Sequence, residues 1–484
     1  MVILKAKWGK TEFDLPVDGS GDRSDALLSL ISEKTNIPKD KIKVIPPSVL
    51  SASFALKDGM KVTIIGTAQD QQLAATPVVH TQFIEDMTDE QIAIAMRLTQ
   101  SDPLPIGLEN LGNTCYLNAV IQSLGRLPEV RSRLSSAHPA PTGPLGDRQL
   151  FNQTNAVFST LSSATTDSIT PAMFVATVRS RFPQFNQRDN HGHFAQQDAE
   201  EFFRSLIQVL GSVNSGIDDL FSFSVESKWS CLESESEPTT VVTEQHKSLT
   251  CHMGTQLEPV GHLHEGVQLS LKETISKEAV SLGRSANFQK LSGLSSLPQY
   301  LVLQFARFQW KAKSDSAGTE ATKTKITRKL TFQKTLDVYD FCTEAVKKDL
   351  DVGREQRRVL LEQGGLLEDV QTAAPSDAPD RLATGVYELV AIVSHQGRTS
   401  DGGHYMGWTK RPAKPKVAKI DDEPPVKKLS KPAEESELWV KFDDDVVTET
   451  NWSAMTESGG IQGGLADSQM GYILFYAKTS VAGK

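Results

Sequence analysis

Hydrophobic and polar positions along the 484-residue chain change period several times. VILKAKW (2–8) and TEFDLPV (11–17) are strand-like runs, and Gly9-Lys10 between them predicts a tight turn. A helix is predicted next, with Ser24 or Asp25 as its cap and Leu27, Leu28 and Ile31 on one face. KIKVIPP (41–47), an irregular stretch and KVTIIG (61–66), which comes after an Asp58-Gly59 turn, complete a first unit over residues 1–68. Residues 69–104 read as a linker: 69–82 are polar and Ala/Gln-rich. Thr88-Asp-Glu-Gln91 is a capping box that opens a short helix through Ile92, Ala95 and Met96, and Pro103 and Pro105 stop it.

From 105 to 480 helical and strand-like stretches mix, without an internal repeat, and two inserts interrupt them. Residues 343–384 carry the charged helical pattern EAVKKDLDVGREQRRVLLEQ and then the loop AAPSDAP. Residues 410–437 hold eight Lys/Arg, six Asp/Glu and five Pro, a composition that builds no core and predicts a solvated tether. The expected fold class is α+β in both units. In the first, two strands, a helix and two more strands follow the order of a β-grasp fold, and the unit is similar to a ubiquitin-like domain. It ends IIGTAQ, without the Gly-Gly tail of a conjugated modifier, so the resemblance implies a docking domain rather than a tag.

Composition narrows the class. With 38% hydrophobic and 23% charged residues the chain reads as globular, and no apolar run approaches the ~20 residues needed to cross a bilayer. Its four cysteines suggest a reducing compartment, hence a cytoplasmic and potentially nuclear location. The net charge is −9; residues 1–69 carry ten Lys/Arg and eight Asp/Glu, or +2, which leaves −11 for the remainder. An acidic larger part does not favour a nucleic-acid surface, and no membrane partner is expected.

One cysteine stands apart. In GLENLGNTCYLN (107–118), Cys115 immediately precedes Leu117, Val120, Ile121 and Leu124 at helical spacing, with Asn113 or Thr114 as the expected cap. A thiol in the first turn of a helix meets unpaired N–H groups and the positive end of the dipole, which favour the reactive thiolate. Near the other end, YELVAIV and HYMGW predict a hairpin that places His404 at a strand start, and LWVKFDDD predicts a third strand ending at Asp443, Asp444 and Asp445. A nucleophile, an imidazole and a carboxylate in such places are the parts of a thiol-protease triad.

Taken in order, these segments resemble the ubiquitin-specific protease family. GLENLGNTCYLN is similar to its cysteine box, GGHYMGW and WVKFDDD to its histidine and aspartate boxes, AQQDAEEFF (195–203) to its Gln-Gln-Asp signature, and LPQYLVLQFARF and GYILFYAK to two further strands. The resemblance implies a papain-like cysteine protease domain with fingers, palm and thumb. With the first unit and IEDMTDEQ it extends to the proteasome-associated members of the family.

The resemblance also implies roles for individual residues. It makes Cys115 the nucleophile, His404 the base, Asp443 the group that orients the imidazole, and Asn110 the side-chain donor to the oxyanion. One such donor is worth ~3–4 kcal/mol of barrier. Asp444 is a supporting candidate, since three adjacent aspartates leave the register ambiguous. Asp198, with Gln196 and Gln197 beside it, is expected to grip the ubiquitin tail. Phe202, Phe203, Leu206, Ile207 and Leu210 are expected in the core. The partners implied are ubiquitin, polyubiquitinated proteins and, through residues 1–68, the proteasome regulatory particle. No cofactor is expected. Many members hold zinc on two Cys-x-x-Cys pairs; here only Cys231 and Cys251, with His262 and His264, stand in that region, so no metal is expected. HQGRTSDGG (395–403) reads as a polar loop beside His404. A second reading is a ubiquitin-binding scaffold that regulates the proteasome with little or no catalysis.

Overall fold

The computed structural model describes residues 2–8, 11–17, 24–51, 54–65, 104–135, 143–189, 191–311, 322–362, 370–372, 381–397, 402–411, 437–458, 460–464 and 468–482. The chain divides into two compact units, 1–101 and 102–484. The expected Gly9-Lys10 turn, the linker helix near 88–96, the AAPSDAP loop and most of the 410–437 insert lie outside the described residues.

In the first unit, strands Val2–Trp8, Thr11–Val17, Lys43–Ile45 and Lys61–Ile65 form one sheet, with the helix Ser24–Thr35 between the second and third. Val2–Trp8 pairs antiparallel with Thr11–Val17 on one side and parallel with Lys61–Ile65 on the other, and Lys43–Ile45 closes the edge. Alternation buries Leu4, Ala6, Leu15, Val17, Val44, Val62 and Ile64 against Leu27 and Ile31 of the helix.

The second unit is built on a nine-stranded sheet. Its main path runs Val446–Asn451, Leu438–Asp443, His404–Lys410, Arg381–Gln396, Met470–Ala482, Tyr300–Phe305 and Leu249–Cys251. Tyr300–Phe305 is buried at nearly every position, and much of Met470–Ala482 likewise; unbroken apolar runs suit strands covered on both faces. One face packs under helices Cys115–Leu124, Leu145–Ser163, Ala172–Arg181 and Ala199–Val213, where Phe202, Phe203, Leu206, Ile207 and Leu210 are all buried. The other face forms a second core around Trp439, Leu474 and Tyr476. A separate four-stranded sheet comprises Lys272–Ala279, Arg284–Leu294, Phe223–Cys231 and Thr240–His246 in that spatial order.

Three expectations are corrected. The charged helix exists as Glu344–Glu362, yet it belongs to the domain: Leu350 is buried in the second core and Gly353 lies so close to Ala383 that a Cβ would meet its carbonyl oxygen at 2.1 Å. Residues 381–384, placed in the insert, are the start of the strand Arg381–Gln396. His395, placed in a polar loop, is a fully buried residue of that strand, and the chain leaves the sheet only after Gln396. Local polarity hid this, because Lys325, which meets His395 Nδ1 and its carbonyl, lies seventy positions away.

Candidate active site

The helix carrying Cys115 begins at that residue. All ten of its residues are buried, not one face alone, because it is held between the helix Ala199–Val213 and the strand His404–Lys410. Gly407 permits the strand's approach: a Cβ there would stand 3.1 Å from the Ala119 carbonyl oxygen. Thr114 is the capping residue by position, but its hydroxyl does not cap; it accepts instead from the Leu111 N–H at 2.9 Å, folding the preceding loop.

His404 opens its strand opposite Gln396, as the hairpin pattern predicts. Its Nε2 hydrogen-bonds Asp443 Oδ1 at 2.7 Å, and the Cys115 side chain is near enough to act on the imidazole. The Asp443 bond, then the Cys115 side chain, raise the imidazole pKa to about 10 against the opposing effect of burial. Asp443 is pushed down to about 2, first by His404 and further by Lys441, whose Nζ donates to Oδ2 at 2.9 Å. With Nε2 on the carboxylate, Nδ1 is the ring nitrogen left for the sulfur.

The three adjacent aspartates separate completely. Asp443 ends a strand and meets the imidazole. Asp444 is buried in the turn at φ +55, a left-handed conformation that aspartate tolerates better than most residues. Its carboxylate accepts from Asn110 Nδ2 and from Asn118 Nδ2, both at 2.8 Å, and its carbonyl from the Leu108 N–H at 3.0 Å. Asp445 packs its backbone on Gly107, where a Cβ would come within 2.4 Å of the Asp445 carbonyl oxygen. The segment before the cysteine is thus clamped to the aspartate turn. Asn110 also accepts from the Gly112 and Thr114 N–H groups, so both ends of its amide are fixed.

At the Gln-Gln-Asp signature, Asp198 caps the helix Ala199–Val213 by accepting from the Glu200 N–H at 2.8 Å. Its carboxylate also accepts from the Tyr472 hydroxyl, which lies 2.9 and 2.7 Å from the two oxygens, and Gln304 Nε2 donates to that hydroxyl. Gln196 is buried with its Nε2 unpartnered, whereas Gln197 makes only a 3.5 Å contact to the Ala195 carbonyl. The chain sequence did not point to Asn118, Tyr472 or Gln304 as partners; Asn118 and Gln122, one turn apart on a mostly apolar helix, were the one available signal.

Among the described residues no three potential metal ligands converge. Cys251 is buried beneath the helix Leu263–Ser270, His264 pairs with Asp340 at 3.4 Å, and His262 meets the Thr331 hydroxyl at 2.5 Å. All four cysteines are free thiols. Among the described residues no helix is long and apolar enough to cross a membrane.

Residues 106–476 match the family described as ubiquitin carboxyl-terminal hydrolase. The chain belongs to that family. It is a ubiquitin-specific protease, a cysteine-type deubiquitinating enzyme of papain-like α+β fold, and acts on ubiquitin and ubiquitinated proteins. It is 31% identical to ubiquitin carboxyl-terminal hydrolase 6 of Arabidopsis thaliana over 98% of each chain. It is 28% identical to ubiquitin carboxyl-terminal hydrolase 6 of Schizosaccharomyces pombe over the whole of both. Against ubiquitin carboxyl-terminal hydrolase 14 of Caenorhabditis elegans the identity is 28%, over 98% of this protease and 93% of that protein.

Proposed function

We propose that this protease hydrolyses the isopeptide bond at the C-terminal glycine of ubiquitin, docks on the proteasome through residues 1–68, and trims ubiquitin from substrates held there. The contact of His404 with both Cys115 and Asp443 carries the catalytic reading. An imidazolium beside the sulfur stabilises the thiolate, the attacking form. Attack on the glycine carbonyl forms a tetrahedral intermediate whose oxyanion Asn110 and the Cys115 N–H stabilise. Asp444 takes one of the two Asn110 Nδ2 hydrogens, which holds the other in a fixed direction. Collapse breaks the C–N bond as His404 gives its proton to the departing lysine amine, leaving a thioester. Water, deprotonated by His404, then releases ubiquitin and the free thiol.

We assign Asp198, with Gln196 and Gln197, to the basic tail of ubiquitin. The four-stranded sheet is read as the fingers. For the first unit, the strand order, with its parallel central pair crossed by one helix, supports a ubiquitin-like β-grasp domain. Four free thiols fit a reducing compartment, so we place the protein in the cytoplasm with access to the nucleus.

A ubiquitin probe with a C-terminal electrophile should label the full-length protein covalently, faster with proteasomes present, and Cys115→Ala should abolish labelling. Binding without capture in both proteins would favour the scaffold reading. Equal rates with and without proteasomes would remove the docking role.

A further inference from the structure

We infer that Lys325 and His395 are a buried positioning pair that fixes the strand backbone beside His404 and so places its imidazole. The inference rests on the reading of His404 as the base. Lys325 ends the strand Thr322–Lys325. Its Nζ donates to the His395 carbonyl at 2.5 Å and lies 3.0 Å from His395 Nδ1, so one ammonium holds both backbone and ring of a single residue. Both residues are buried. The charged neighbour that acts on Lys325, Arg307, is another cation, and burial brings the Lys325 pKa down to about 7. A buried lysine facing a cation works against stability, and an apolar side chain would fill the space at less cost. Its two bonds to His395 are what it provides.

His395 is kept neutral, its pKa lowered to about 3 by burial first and then by Lys325. Nδ1 therefore accepts from Lys325, and Nε2 faces the Gly403 backbone. A Cβ on Gly403 would stand 2.8 Å from His395 Nε2 and 2.2 Å from the Gln396 carbonyl oxygen. A Cβ on Gly397 would lie 2.8 Å from the Gly403 Cα. Gly397 and Gly403 have φ of +128 and +127, so both lie close to the imidazole in a conformation that favours glycine. Phe308 packs edge-on to the ring with centroids 5.5 Å apart, and Tyr405 lies 4.5 Å away at 57°. The register pairs His395 with Tyr405 and Gln396 with His404. A displacement of His395 thus passes through one strand step to the base, and a misplacement of about 1 Å is enough to lower turnover by about 10²-fold.

Full-length Lys325→Met, assayed on a ubiquitin–fluorophore, should lose roughly 10–10²-fold in kcat with KM within about twofold of wild type. The His404 imidazole titration, followed by NMR, should move from about 10 toward its ordinary value, because a displaced ring meets Asp443 less well. In a His404→Ala background the Met substitution should change the residual rate by less than about twofold. Lys325→Arg, which keeps a donor for the carbonyl, should recover part of kcat and covers the case in which Lys325→Met does not fold. Folded Lys325→Met with normal kcat, with an unmoved His404 titration, or with a full additional loss in the His404→Ala background would overturn the pair's role, as would folded Lys325→Arg without recovery if Lys325→Met does not fold. Failure of the underlying assignment reads differently: His404→Ala itself would then retain turnover.

Discussion

His404 and His395 sit on paired strands of one hairpin, a single register step apart, and their environments drive them in opposite directions. His404 has Asp443 at 2.7 Å and Asp444 at 3.8 Å, remains about one-third exposed, and is raised to about 10. His395 has Lys325 at 3.0 Å, no exposure, and is lowered to about 3. Residue type, strand geometry and sheet are shared; the sign of the nearest charge and the access of water are not. The first imidazole is equipped to carry a proton, and the second to stay neutral and hold its place. A histidine in a hairpin therefore acquires its chemistry from what other segments bring to it.

The largest test of that contrast is catalytic. His404→Ala should lower turnover of a ubiquitin–fluorophore by about 10³-fold or more, and His395→Gln by no more than about 10²-fold. Equal losses would erase the distinction. Next, Asp443→Asn removes the group that most raises His404, so turnover should fall by about 10²–10³-fold and imidazole titration, followed by NMR, should move toward the ordinary value. An unchanged titration would mean that the carboxylate does not set the proton. Gly403→Ala forces a side chain into the Gln396 carbonyl and the His395 ring; a loss of about 2–4 kcal/mol in denaturant unfolding is expected, together with lost activity.

Stability against pH should sharpen the comparison, with opposite signs. The raised pKa of His404 contributes stability that is complete below its unfolded value near 6.5 and lost as pH rises through about 10. The lowered pKa of His395 contributes stability present above that unfolded value and lost as pH falls through about 3. The advantage of wild type over His404→Ala should accordingly shrink on the alkaline side, and its advantage over His395→Gln on the acid side. Parallel stability curves across pH 4–10 would contradict both. The smallest effect concerns Asp198: Tyr472→Phe deletes the hydroxyl bonded to its carboxylate and should cost about 1 kcal/mol, with Asp198 still held by the helix N–H groups.

The local pattern sufficed for much of this molecule. The helix start at Cys115 comes from an apolar period of about 3.6 residues, and the strands around His404 and Asp443 from alternation and turn glycines. Both are properties of neighbouring residues. The roles of the adjacent aspartates came from the family resemblance, not from the local pattern. Asp443 and Asp444 differ in the conformation of one turn and in partners such as Asn110, 334 positions away. His395 reads as loop for the same reason, its partner Lys325 being on a distant strand.

By itself the sequence determined which segments become helix or strand, which faces turn inward, and which side chains have the chemistry of a thiol protease, because period, caps and residue type are local quantities. Tertiary structure alone decided which aspartate meets the imidazole, which histidine carries the proton, and that Asp198 is tied to Tyr472 rather than left in water. Those outcomes depend on distance and burial, which exist only once remote strands have paired.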